Sequence, residues 1–250
     1  MRAWRVIGAS VVGTAHQRTN TPCQDAHCFR TGDDWLALAI ADGASSASLS
    51  QEGAQLATQE AVNFIAAWLL NRFPVVRSDF IELLSETIKN VHLSILNLAE
   101  QKQQRVNQFA TTISCAVVTE THVAVAQIGD GTIVCQDASG ELLQVLRPER
   151  GEYANETRFI TSADALSSAQ IRVFKRQIVS LAALTDGLIR LACVLPDFQP
   201  FSNFFLPLFD FARSQKDNDK SIVSLQDFLS SDTVCSRTDD DKTLVLAVRC

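Results

Sequence analysis

The sequence predicts an α+β fold in which helices cover antiparallel sheets. Three observations carry that prediction. Apolar runs of strand length recur at 3–12, 35–41, 111–119, 122–128, 131–136, 141–146, 171–175, 178–184 and 243–248. Two long stretches, 51–70 and 78–98, instead repeat their apolar residues at helical spacing. The order is strands, long helices, many strands, helices and a last strand, which differs from the regular alternation of a parallel sheet. With 250 residues, 46% of them hydrophobic, the chain can bury a substantial core and reads as one domain over 1–250.

Each element has a local reason. Leu36–Ala41 is apolar throughout, as in a strand covered on both faces. Ser50 reads as a helix N-cap, after which Ala54, Ala57, Ala61, Phe64, Ile65 and Trp68 share one face. Ser78 starts a second helix with the stripe Phe80, Leu84, Ile88, Val91, Ile95 and Leu98. Turns near Glu120-Thr121 and Ala138-Ser139-Gly140 join strands between 111 and 146, so an antiparallel meander is expected. Residues 147–170 are polar and read as a surface segment. Helical stretches are expected around 187–195, 202–213 and 222–230, with the polar run 214–220 as a loop.

Charge and cysteine usage exclude some classes. The net charge is -6 and no long basic run occurs, which argues against nucleic acid or an acidic membrane as partner. No apolar stretch reaches about 18 residues, the length of a membrane span. The opening Met1–Val6 lacks the apolar core of a signal peptide. The seven cysteines are odd in number and without CxxC spacing; they read as reduced thiols. The expected location is the cytoplasm.

The chemistry lies in carboxylates beside strand-like runs: Asp25, Asp42, Asp130, Asp186 and Asp240. In Ala-Ile-Ala-Asp-Gly (39–43) and Ala-Leu-Thr-Asp-Gly (183–187), an apolar run ends in Asp followed by Gly. A strand end holds the carboxylate firmly, and Gly lets backbone, water or metal come close. Taken singly, Asp-Gly is also a common turn signal. Several such carboxylates converging would form a site for hard divalent cations.

Six motifs then occur in order. They are Gly13-Thr-Ala-His16 leading to Gln24-Asp25-Ala26, Ala41-Asp42-Gly43, Phe109-Ala-Thr111-Thr112, Ile128-Gly129-Asp130-Gly131, Leu184-Thr185-Asp186-Gly187, and Asp240-Asp241-Lys242-Thr243. From Gly13 to Val248 the chain resembles the metal-dependent type-2C serine/threonine protein phosphatases. The resemblance implies a four-layer α-β-β-α sandwich of two antiparallel sheets flanked by helices. It implies two Mg²⁺ or Mn²⁺ ions, with room for a third. Asp42 would bridge both ions, and Gly43 would offer its carbonyl. Asp186 and Asp240 would hold the first ion and Asp25 the second. Asp130, with Asp186, would sit at a weaker third site. Asp42 and Asp186 would thus carry catalysis. Phosphate monoesters hydrolyse extremely slowly unaided. Two metals about 3.5–4 Å apart bridge a water, lower its pKa and clamp the phosphate for in-line attack.

The chain also departs from the family pattern. His16 stands where relatives place Arg, and extra residues separate it from Asp25. Either His16, when protonated, or Arg18 would contact the phosphate; a structural hydrogen-bonding role for His16 is the other reading. Gln24 replaces Glu, Gly131-Thr132 replaces Ser-Arg, and Ala44-Ser45 leaves no general acid after Asp42-Gly43. Asp241 reads as a hydrogen-bonding partner and not as a ligand. Residues 151–162 fall where relatives carry a flap, so they either contact substrate or form a plain surface loop. The implied activity is hydrolysis of phosphoserine and phosphothreonine in proteins, with a Ser/Thr kinase or its targets as partners. The alternatives are an inactive binding module on the same fold and a phosphomonoesterase for small molecules.

Overall fold

The strand-like runs pair into two five-stranded antiparallel sheets in a computed structural model that describes residues 3–146 and 157–250. In chain order the elements are β1 (Trp4–Val11), α1 (Thr14–Thr19), β2 (Asp25–Thr31), β3 (Leu36–Asp42), α2 (Ser50–Asn71) and α3 (Arg77–Gln101). Four strands follow: β4 (Ile113–Val118), β5 (Val123–Ile128), β6 (Thr132–Asp137) and β7 (Leu142–Leu146). Next come α4 (Ala165–Ser168), β8 (Gln170–Phe174), β9 (Ile178–Leu184), α5 (Ile189–Ala192) and the small ribbon β10 (Cys193–Val194) with β11 (Gln199–Pro200). The chain ends with α6 (Ser202–Ser214), α7 (Asn218–Ser230), α8 (Asp232–Cys235) and β12 (Lys242–Arg249).

One sheet has the order β1-β12-β9-β6-β7 and the other β2-β3-β4-β5-β8. Strand alternation sorts the core into three layers. Leu36, Leu38 and Ile40 of β3 point between the sheets, where they meet Val245, Ala247 and Leu181. Ala37, Ala39 and Ala41 point outward onto α2 and α3. Their small side chains let the helices sit close to the sheet. On the other side, Leu184, Leu244 and Leu246 pack against Phe205 and Phe209 of α6 and Leu225 of α7. The result is the four-layer α-β-β-α sandwich that the resemblance implied. No helix among the described residues is long and apolar enough to cross a membrane.

Several expectations need correction. The strands between 111 and 146 are not one meander. β4 and β5 pair in one sheet, whereas β6 and β7 pair in the other. The chain changes sheets at Gly129-Asp130-Gly131, where Gly129 takes φ 112°, a region few L side chains tolerate. Ser50 is not the N-cap of α2 but its first residue; Leu49 occupies the cap position without a side-chain bond. α3 starts one residue before Ser78, and Asp79 caps it by accepting from the N–H groups of Val75 and Val76. The polar run 214–220 is only partly loop, because Asp217 caps α7 through the N–H groups of Asp219 and Lys220. The stretch 187–195 is one 3-10 turn, the short α5 and the start of the ribbon. In the expected surface segment, residues 147–156 lie outside the described residues, while Ile160 and Ala165 are buried. The strand β2 and the six-residue α1 had no expectation of their own.

Candidate metal centre

Strand register builds the site. β2 and β3 pair so that Asp25 lies directly opposite Asp42. Opposed residues of an antiparallel pair project from the same face. Here that face is the one shared with Ile40, between the sheets. The second sheet brings its own acids to the same end. Asp186 lies two residues past the end of β9, and Leu184 pairs with both Thr132 and Leu244. Those two partners carry Asp130, just before β6, and Asp240, just before β12. Carboxylate oxygens of Asp42, Asp130 and Asp186 lie within 4.8 Å of one another. Asp25 and Asp240 flank this trio closely enough for charge repulsion from both to raise Asp42.

Threonines of the recognised motifs hold the backbone. Thr112 Oγ1 accepts from the Asp42 N–H at 2.9 Å, and Thr111 Oγ1 donates to the Asp42 carbonyl at 2.9 Å. Gly43 bridges to Thr111 and donates to the Gln24 carbonyl at 3.1 Å. Thr185 Oγ1 donates to Asp25 Oδ2 at 2.7 Å and accepts from the Thr243 N–H at 3.0 Å. The residue types were legible in the motifs, but the sequence assigned these threonines no role. Thr157 was likewise missed; its Oγ1 donates to Asp130 Oδ2 at 2.9 Å. It belongs to the expected flap, of which residues 151–156 lie outside the described residues.

Asp241 organises the entry to the site. It is buried, and it accepts from the N–H of Gly13 and of Gln24, both at 2.6 Å. His16 Nδ1 lies 3.0 Å from its second oxygen. Those contacts fit the expected role of a hydrogen-bonding partner. His16 and Arg18 sit two positions apart on α1, which turns their side chains about 200° from each other. His16 faces Asp241, and Arg18 is exposed. The two side chains therefore leave different sides of α1.

The acids repel one another and are desolvated. Burial pushes Asp25 up to about 8, opposed by its hydrogen bond from Thr185 and aided by Asp241 and Asp186. Burial, then Asp130 and Asp240, pushes Asp186 up to about 7. Asp42 is raised well above the carboxylate range, first by burial and then by its four acidic neighbours. Burial also raises Asp130 and Asp240. Such crowding is costly in protein alone. In addition, Asp25 Oδ1 and Asp130 Oδ1 are buried without any hydrogen-bond partner. Orphaned oxygens in an all-oxygen donor set fit hard divalent cations such as Mg²⁺ or Mn²⁺. Concavity alone does not mark this site. A groove of about 670 Å³ lined by Arg30, Asp33, Trp35 and Phe73 lies at the other end of β3.

Two sheets that aim carboxylates at one shared end, under flanking helices, define a class: α-β-β-α sandwiches with a candidate metal site at the end where the sheets meet. The sequence profile of protein phosphatase 2C matches residues 12–230. The chain belongs to the protein phosphatase 2C family. It is 37% identical over 253 residues to serine/threonine-protein phosphatase 3 of Escherichia coli K12, covering 98% of both chains. Among solved structures it resembles the S. agalactiae serine/threonine phosphatase, with TM-score 0.65 and 15% identity over 98% of this chain and 99% of that one. The catalytic domain of the phosphatase PstP, in complex with two manganese ions, gives TM-score 0.57 and 15% identity over 100% and 99%.

Proposed function

We propose that this protein is a metal-dependent phosphatase that removes phosphate from phosphoserine and phosphothreonine in proteins. The observation that carries the reading is the meeting of Asp42, Asp130 and Asp186 within 4.8 Å, beside orphaned oxygens of Asp25 and Asp130. Asp25, Asp42, Asp186, Asp240 and the Gly43 carbonyl would hold two Mg²⁺ or Mn²⁺ ions, with Asp130 joining Asp186 at a third. Bound there, such ions neutralise phosphoryl oxygens and lower the pKa of water. The chain's own residues set the geometry. Thr111 and Thr112 fix Asp42 at the centre, and Thr185 fixes Asp25. His16, anchored by Asp241, would meet the substrate phosphate through its outer nitrogen. With alanine and serine after Asp42-Gly43, the leaving alkoxide takes its proton from water.

The whole chain would act as one catalytic domain, since the two sheets share a single inner core layer. All seven cysteines are unpaired, which supports a reducing cytoplasmic setting. A Ser/Thr kinase with the same substrates is the natural opposing activity. The test is Mn²⁺-dependent phosphate release from a phosphopeptide. Asp42→Ala and Asp186→Ala should each lose it by about 10²-fold or more, as removal of a charge-stabilising group does. Retained activity in either variant would refute the assignment. Faster turnover of small phosphoesters than of phosphopeptides would point to the small-molecule alternative.

A further inference from the structure

Lys242 is the only lysine or arginine among the described residues that is fully buried. It opens β12 directly after Asp240 and Asp241, opposite Val11 of β1. By strand alternation its side chain lies on the face of Leu244 and Leu246, beneath α6 and α7. A leucine would suit that slot, and an ammonium there is costly to desolvate. Among the described residues its Nζ has one hydrogen-bond partner, the backbone carbonyl of Asp240 at 3.2 Å.

The neighbouring acids are anchored by other groups. The Asp239 carbonyl accepts from the Ala15 N–H at 2.9 Å. The Asp241 carboxylate accepts from Gly13 and Gln24 and meets His16. Asp240, the member of the three placed as a metal ligand, has its N–H on Thr238 Oγ1 at 3.3 Å, its Oδ1 accepting from the Asp241 N–H at 2.9 Å, and its carbonyl on Lys242. We infer that Lys242 is a positioning residue, whose buried ammonium fixes the Asp240 backbone so that the Asp240 carboxylate reaches the metal centre. This rests on the metal-site reading above. The mechanism is geometric: the side chain loops back two residues and ties the last turn before the strand to the start of β12.

Mn²⁺ binding to the purified protein, followed by calorimetry without substrate, tests it. Wild type should bind, and Lys242→Met should bind roughly 10- to 100-fold more weakly, the range for groups that orient a ligand. Lys242→Arg, which keeps a buried donor, should recover part of that loss. At saturating Mn²⁺ the Met variant should regain near wild-type kcat, a recovery that general unfolding does not give. A folded Met variant with wild-type Mn²⁺ affinity overturns the inference. Should that variant fail to fold, the Lys242 ammonium resonances of the wild type decide: they should shift on saturation with Mg²⁺, and unchanged resonances overturn it. Absence of Mn²⁺ binding by wild type would instead bring down the metal-site reading, and this inference with it.

Discussion

His16 illustrates how one side chain's surroundings decide its role. A helix of six residues places His16 and Arg18 on opposite sides, and only His16 faces Asp241. One ring nitrogen is engaged by that carboxylate, which leaves Nε2 as the atom for any further contact. A protonated ring donates from both nitrogens, so Asp241 orients it for an anion. His16→Ala should therefore raise KM for a phosphopeptide by about 10-fold, the worth of one charged hydrogen bond. Arg18→Ala should leave KM within about twofold and stability within about 0.5 kcal/mol, as for an exposed residue without such contacts. Steady-state kinetics on both variants decides between them. The residue scale also shows what the motifs left unsaid. Thr185 is recognisable in Leu-Thr-Asp-Gly, but its partner, Asp25, is 160 positions away. Sequence distance hides that bond; only the approach of β9 to β2 creates it.

At the scale of elements, the turn after β9 packs closely on the turn before β12. A Cβ on Gly187 would stand 2.1 Å from the Asp241 carbonyl oxygen, which is backbone and cannot swing aside. Gly187→Ala must push apart the two turns that carry Asp186 and Asp240. It should destabilise the fold by about 1–3 kcal/mol, as overpacking does. Denaturant unfolding measures the stability loss, and Mn²⁺ titration should show weaker binding in the same variant. Elements with a strong apolar pattern were legible: α2 and β3 fall within one residue of expectation at each end, and α3 runs three residues past its expected end. β2 was not, because Asp-Ala-His-Cys-Phe-Arg-Thr mixes polar and apolar residues without a clean alternation. α1 buries none of its residues and so has no stripe to read. Ser50 misled because a hydroxyl before a helical run reads as a cap, whereas here its oxygen is buried inside the first turn without a partner.

For the whole molecule, the crowding of carboxylates makes stability depend on pH and on cations together. Asp25 and Asp186 have folded values of about 8 and about 7, above the ordinary 3.8. Folding therefore favours their protonated forms. The stability they contribute is fully present below about pH 4 and is lost as pH rises through 7 to 8. In EDTA, the melting temperature should fall between about pH 5.5 and pH 8.5. Mn²⁺ at 100 times its Kd should restore about 2.7 kcal/mol at the higher pH. A melting temperature that rises with pH in EDTA would contradict the burial of these acids. Thermal scans at both pH values, with and without Mn²⁺, are sufficient.

The sequence by itself determined the fold class, the helical faces and the identities of the acids, because each is written in local periodicity or in a short motif. Hydrophobic spacing dictates which face of a helix or strand is buried, whatever lies opposite. Tertiary structure alone decided which strands share a sheet. The strands on either side of Gly129-Asp130-Gly131 read as parts of one meander, but the chain there crosses to the second sheet. The pairing choice depends on which edge the opposite layer leaves open, and no local signal encodes that. The same crossing brings Asp130 to Asp42 and Asp186. The acidic cluster thus exists only where two sheets meet, although Asp42, Asp130 and Asp186 were each visible in the chain.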